Sequence, residues 1–358
     1  MHLLHVVGAR PNFMKVAPVI RAFRGRSDVQ QTLVHTGQHY DPNLSDIFFE
    51  QLEIPRPDVS LEVGSGSHAR QTAEIMIRFE TTALERRPDW VMVYGDINST
   101  VAAALVAAKL GIKVAHVEAG LRSFDRTMPE ELNRLVTDQL SDLLLTSSPE
   151  AEGNLAKEGI TGDKVRFVGN VMIDTVRYLV DKAQMPEVPG LNGEYALLTM
   201  HRPSNVDVPE TLTRILAALR DISEKLPIVF PIHPRTKARI DALGGGSLKA
   251  SRVIVTEPVG YVESLALQKH AKLVMTDSGG LQEETTALGV PCLTIRENTE
   301  RPITVTEGTN TLVGTDMDLL RTEVDKILSG KGKAGRVPDK WDGRAAERIV
   351  AVMTDVGG

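Results

Sequence analysis

The feature that most constrains this chain is a short apolar run that keeps returning. Residues 3–7, 31–35, 90–94, 113–117, 143–146 and 165–168 make one series, and 195–200, 227–231, 253–255, 273–275 and 291–295 a second. The runs are rich in Val, Ile and Leu with little alternation, which suits strands buried on both faces. Amphipathic stretches separate many of them, so successive strands should lie parallel with helices between them. In the stretch 99–110, Ser99 can cap a helix, Ala and Leu fill it, and Gly111 can end it. The expected fold class is α/β, with two Rossmann-like doubly wound domains facing a central cleft.

A length of 358 residues fits two domains. The segment 181–193 is rich in Pro, Gly and polar residues without an apolar period, and reads as a linker. The expected domains are 1–180 and 181–340, with a C-terminal helix in 341–358 packing back on the first. Ligands of doubly wound sheets bind outside the carboxyl ends of the strands. Polar clusters directly after the apolar runs are therefore the places to look.

Composition narrows the chemistry. The chain is 42% hydrophobic and 25% charged, as globular proteins are. A formal net charge of -6 and the lack of a long basic run argue against nucleic acid as a partner. No apolar stretch has membrane-spanning length, and the N-terminus turns polar too soon for a signal peptide. No membrane partner and cytoplasmic residence are expected. Cys292 is the single cysteine, set in an apolar run. It allows no intrachain disulfide, reads as a small buried hydrophobe, and leaves no zinc-spaced cluster. No metal and no cofactor are expected.

Six clusters follow apolar runs. Gly8 to Lys15 combines a glycine turn, a helix start and the cations Arg10 and Lys15, which is either an anion site or a turn with solvated charges. It lacks the glycines of a P-loop or a dinucleotide fingerprint. Asp96 is a helix cap or an acid aimed into the cleft. Glu118 ends a strand and Glu130 opens a helix; both are acid–base candidates or partners of Arg122 and Arg134. His201 beside Arg202 suits phosphate contact or proton transfer, against a structural histidine. Ser278-Gly279-Gly280 makes an anion nest before a helix, with Glu284 about one turn on, in reach of a ribose hydroxyl; Asp277 reads as a cap. The charged stretch 296–302 finishes the cleft or forms a salt-bridged loop.

In order along the chain, the segments VGARPNFMK, HTGQH, YGDINST, HVEAGLRS, MPEELNR, MHRPSNV, PIHPRT, TDSGGLQEE and ERPITVTEGTNTLVG resemble the bacterial and archaeal UDP-N-acetylglucosamine 2-epimerases of the non-hydrolysing type. The resemblance runs from near residue 6 to near 314 and implies the two-domain GT-B architecture. It implies that Arg10 and Lys15 lie near a nucleotide diphosphate. Ser278, Gly279, Gly280 and Glu284 match positions that hold diphosphate and ribose, and Arg301 a further nucleotide-site arginine. Asp96, Glu118, Glu130 and His201 match the catalytic set, and His201 also suits phosphate binding. Gln38, His39, Arg70 and His233 fall where some bacterial members bind a second, activating UDP-sugar. A UDP-sugar partner, a homodimer and a role in polysaccharide synthesis are further implications.

The sequence departs from the family at Ser204 and Ile303, each where a Glu is usual, and lacks an aromatic common near Ser264. These changes bear on the sugar and on the activating site. The implied reaction inverts C2 of UDP-N-acetylglucosamine by eliminating UDP to a 2-acetamidoglycal and re-adding it. The alternatives are a hydrolysing epimerase releasing N-acetylmannosamine and UDP, a 2-epimerase of a UDP-diacetamido uronic acid, a retaining glycosyltransferase on the same architecture, and a silent UDP-sugar sensor.

Overall fold

The computed structural model describes residues 1–38, 49–244, 248 and 251–357. Their strands are β1 (His2–Val7), β2 (Gln30–His35), β3 (Val59–Ser60), β4 (Trp90–Tyr94), β5 (Lys113–Ala119), β6 (Leu143–Thr146), β7 (Val165–Phe167), β8 (Ala196–Thr199), β9 (Ile228–Pro231), β10 (Val253–Thr256), β11 (Leu273–Thr276), β12 (Cys292–Thr294) and β13 (Asn310–Leu312). They form two sheets, ordered β3-β2-β1-β4-β5-β6-β7 and β10-β9-β8-β11-β12-β13. Every pairing is parallel. Each sheet is thus doubly wound, as the apolar runs require. The short strands β3 and β13 carry no apolar run of their own and lie at sheet edges.

The chain divides into two units, Met1–Thr175 with Asp339–Gly358, and Val176–Pro338. In the first, Leu4, Val6, Val91, Val93 and Val114 of adjacent strands pack against Phe79, Ala103 and Ala107 of the flanking helices His68–Arg86 and Asn98–Lys109. In the second, Leu198, Phe230, Met275 and Leu293 pack against Leu219 and Ile222 of helix Pro209–Lys225. The stretch 181–193 belongs to the second unit, because Val188 and Leu191 pack on Tyr195 and Leu197.

The last helix, Ala345–Gly357, lies in the first unit and packs on helix Arg10–Ala22. Asp174 holds its start, accepting the Ala345 and Ala346 amides at 3.0 and 2.7 Å. The indole of buried Trp341 donates to the Ser147 carbonyl at 2.9 Å.

Each sheet has a switch point. Strand order reverses between β1 and β4 in one sheet and between β8 and β11 in the other. Crevices at the carboxyl ends of such strand pairs are where open α/β sheets take ligands.

Candidate active site

In the first unit the clusters after β1, β4 and β5 meet, because these strands are neighbours. Asn12 spans the switch point: its Oδ1 accepts the Gly8 amide at 3.1 Å and its Nδ2 donates to the Tyr94 carbonyl at 2.8 Å. Gly8 is demanded by close approach. A Cβ there would stand 2.1 Å from Ser99 Oγ and 2.5 Å from Thr36 Oγ1. The Arg10 side chain lies outside the described part of the chain. Lys15, one turn further along its helix, is buried and bonds Glu118 Oε1 at 2.6 Å. A residue matched to a diphosphate position is thus engaged with a candidate acid.

Glu118 has φ +73°, the left-handed region, at the point where the β5–β6 register shifts. A non-glycine residue there costs on the order of 1–3 kcal/mol and persists only when its surroundings enforce it. The 2.6 Å contact with Lys15 is part of that enforcement. Gly95, φ +62°, turns the chain tightly beside this pair; a Cβ on it would lie 2.7 Å from Lys15 Nζ and 3.8 Å from Glu118 Oε1.

Asp96 follows directly. It does not cap helix Asn98–Lys109, whose N-cap is Ile97. Its carboxylate pairs with Arg134 on helix Pro129–Leu140, and its carbonyl accepts Asn133 Nδ2 at 2.9 Å. Buried Arg134 also donates to Glu131 Oε2 at 3.1 and 2.7 Å. Burial alone would raise the Glu131 carboxyl, but the Ser123 amide and Arg134 bring it below its ordinary range. Arg134 thus serves Asp96 and Glu131 rather than Glu130. Glu130 stands half-exposed in the first turn of its helix, where a carboxylate suits the dipole. Arg122 pairs with Asp138 and Glu158 and leaves Glu118 to Lys15.

Ser99, expected as a cap, lies inside its helix. Gln38 takes the capping role, its Oε1 accepting the Ser99 amide and hydroxyl at 3.0 and 2.8 Å. Gln71 links Gln38 to Asn98, donating to the Gln38 carbonyl at 3.1 Å and accepting Asn98 Nδ2 at 2.8 Å. Gln38 is therefore buried scaffold for the turn that carries Asp96. Arg70 is exposed in the first turn of helix His68–Arg86. His39 lies outside the described residues.

In the second unit the clusters after β8, β11 and β12 come together for the same topological reason. Asp277, fully buried, organises them. Its carboxylate accepts the His201 and Arg202 amides at 3.0 and 2.9 Å, Asn205 Nδ2 at 3.1 Å and His201 Nδ1 at 3.1 Å. Burial opposes its charge, yet the His201 side chain and the amides hold the carboxyl below its ordinary value. Expected as a helix cap, Asp277 instead shapes the loop that presents His201, whose ring stays half-exposed.

Ser278 caps helix Gly279–Leu288 through its backbone, leaving the amide-rich turn Ser278–Gly280 half-buried. A Cβ on Gly279 would meet Glu300 Oε1 at 2.8 Å, whereas nothing lies within 4 Å of one on Gly280. Arg301 is clasped between Glu283 and Glu300, at 2.8 Å to each. Burial opposes the Glu300 charge, but Arg301 and Arg296 push its carboxyl far down. Glu284 is buried, and burial pushes its carboxyl up to about 7 against the 2.7 Å hydrogen bond from Gln268. His233 is an exposed cap, Nδ1 accepting the Arg235 amide at 3.2 Å.

Residues 21–354 match the family described as UDP-N-acetylglucosamine 2-epimerase. The chain belongs to that family. It is 43% identical to the UDP-N-acetylglucosamine 2-epimerase of Methanocaldococcus jannaschii, over 99% of each chain. It is also 43% identical to the UDP-2,3-diacetamido-2,3-dideoxy-D-glucuronate 2-epimerase of Pseudomonas aeruginosa, over 99% of each. The crystal structure of the M. jannaschii enzyme with UDP-GlcNAc and UDP matches with a TM-score of 0.90 and 43% identity, over 99% of this chain and 100% of that one. The epimerase family and α/β class expected from the motifs are therefore those of the chain. Among the described residues no helix is long and apolar enough to cross a membrane.

Within this epimerase frame, the motifs do not reveal what four groups bind. Asp277 was visible only as a cap, and Glu131 was overshadowed by Glu130. Arg134 and His116 sat inside quoted motifs, but which partners they take depends on strand order.

Proposed function

We propose that this epimerase interconverts UDP-N-acetylglucosamine and UDP-N-acetylmannosamine without hydrolysis, as a cytoplasmic homodimer. The observation that carries the reading is the turn at Gly95, where Asp96 and the Lys15–Glu118 pair converge on adjacent strand ends. The hydrogen at C2 is not next to a carbonyl, so it cannot leave easily by itself. Breaking the bond from C1 to the UDP oxygen gives C1 oxocarbenium character and acidifies C2–H. UDP takes the bonding pair from C1, a carboxylate takes the C2 proton, and a C1–C2 double bond forms. Re-addition of UDP to C1, with a proton delivered to the other face of C2, gives the epimer.

In this reading the second unit holds UDP. The Ser278–Gly280 amides, His201 and Arg301 offer donors to the diphosphate, and Glu284 accepts from the ribose. Asp96, Glu118 and Glu130 supply acid–base groups on the two faces of the sugar, each worth ~10²–10⁴-fold. Lys15 positions Glu118 rather than serving the phosphates alone. Gln38, His39, Arg70 and His233 remain the proposed activating set, although Gln38 is spent on Ser99.

The P. aeruginosa relative supports a second reading, a UDP-diacetamido uronic acid as substrate, because its identity to this chain equals that of the M. jannaschii enzyme. Proton NMR of the enzyme with UDP-N-acetylglucosamine in D₂O separates the cases. UDP-N-acetylmannosamine carrying deuterium at C2 is the expected product. Free N-acetylmannosamine with UDP would make the enzyme hydrolysing. No reaction, with exchange on the diacetamido uronic acid, would move the assignment to that sugar.

A further inference from the structure

The peptide between Gly95 and Asp96 is pinned from behind by a buried pair. His116 on β5 places Nε2 at 2.7 Å from the Gly95 carbonyl and Nδ1 at 2.6 Å from Asp138 Oδ1. Both side chains are fully buried. A carbonyl oxygen only accepts, so Nε2 carries a hydrogen and donates it to Gly95. Asp138 fixes the ring from its other edge.

Asp138 is anchored in turn. Its Oδ2 accepts the Gly120 amide at 3.1 Å and Arg122 Nη2 at 2.7 Å, and Arg122 grips Glu158 at 2.8 and 2.7 Å. Burial would raise the Asp138 carboxyl, but His116 and Arg122 hold it below its ordinary value.

Glycine at φ +62° turns easily, so the Gly95–Asp96 peptide needs an external hold. His116 holds the Gly95 carbonyl of that peptide, and Asn133 holds the Asp96 carbonyl of the peptide that follows. Desolvating a His–Asp pair is costly, and apolar residues would fill the strand more cheaply. The pair's outer end is the peptide of a candidate acid.

We propose that His116 and Asp138 are positioning residues that aim Asp96 at the reacting sugar without touching it. This rests on the reading of Asp96 as an acid–base group.

The test compares the full-length chain with its His116→Phe, His116→Gln and Asp138→Asn variants. Phe keeps volume and loses the Nε2 donor; Gln keeps a donor towards Gly95. With the UDP-sugar, His116→Phe is expected to lower kcat by ~10²-fold, with KM and UDP affinity within about two-fold, because a small misplacement costs that much. His116→Gln should recover about ten-fold of the loss. Crystal structures should show the Gly95–Asp96 peptide rotated in the Phe variant and retained in the Gln variant. Wild-type kcat in His116→Phe, or an unrotated peptide, overturns the proposal. A kcat loss matched by an equal loss of UDP affinity does so too. If His116→Phe does not fold, Asp138→Asn carries the same kcat-against-KM measurement and the same structural comparison. Failure of the wild-type chain to turn over the UDP-sugar would instead overturn the functional reading, and the peptide geometry would still decide the positioning claim.

Discussion

At the scale of single residues, the first unit sets two acids in different surroundings. Glu118 is buried, backbone-strained and bonded to a lysine, whereas Asp96 is a fifth exposed and held by an arginine. Asp96→Asn and Glu118→Gln are each expected to cut kcat by at least ~10²-fold while UDP affinity stays nearly intact. Steady-state kinetics with calorimetric UDP titration checks this, and full turnover in either variant removes that residue from the chemistry. Gly95→Ala should act on both acids together. Its methyl would sit 2.7 Å from Lys15 Nζ, at a φ that alanine resists. A kcat loss of ~10²-fold with stability lowered by about 1–2 kcal/mol is expected. Wild-type kcat with unchanged stability would mean that the turn has slack. The residue types at these positions were readable from the sequence, but the pairings were not. Arg134 stands i,i+4 from Glu130 and i,i+3 from Glu131, spacings that a helix serves alike, and only the structure shows that it pairs with Glu131.

At the scale of elements, the candidate site residues stand on loops after strands, and single buried carboxylates hold those loops. Asp277 gathers two amides, one carboxamide and one imidazole, so that β11 shapes the loop after β8. Asp277→Ala would leave those buried donors unmet and is expected to cost about 3 kcal/mol in urea unfolding. UDP affinity should fall as well, because the loop bears His201. Unchanged UDP affinity in a folded Asp277→Ala protein would separate this loop from nucleotide binding. The helix starts show the limits of local reading in a similar way. Ser99 carries a capping side chain, yet Gln38, far away in sequence, supplies the acceptor. A cap inferred from neighbours assumes that the helix begins where the polar residue stands. Here it begins at Asn98, with Ile97 as its cap.

At the scale of the whole molecule, buried carboxyls impose a pH dependence on stability. Glu284 has its folded value raised from 4.5 to about 7 by burial. Below about pH 4.5 both folded and unfolded chains hold that proton. Between there and about 7 the unfolded chain has released it and the folded one has not, so this group's contribution to stability falls as pH rises. Glu284→Gln should remove a difference on the order of 3 kcal/mol across that window. Urea unfolding of both proteins at the two ends of the window checks it; parallel slopes would show that Glu284 is ionised throughout. Asp138, Asp277, Glu131 and Glu300 work in the opposite sense. Their folded values are lowered, so their contributions are lost as acid protonates them.

The sequence by itself determined the α/β class, nearly every strand and the family, because parallel strands buried on both faces must be continuous apolar runs and strand-end motifs are contiguous in the chain. It passed over β3 and β13, which are short edge strands with little apolar surface to declare them. Only the tertiary structure decided which polar residues meet. Lys15 with Glu118 and Asp277 beneath His201 depend on strand order across the two switch points, whereas Asp96 with Arg134 and His116 between Gly95 and Asp138 depend on the pairing of β4 with β5. Apart from Asp96 with Arg134 and His116 with its two neighbours, these partners come from distant stretches of chain. All are joined by sheet pairing and burial, which no local pattern of side chains encodes.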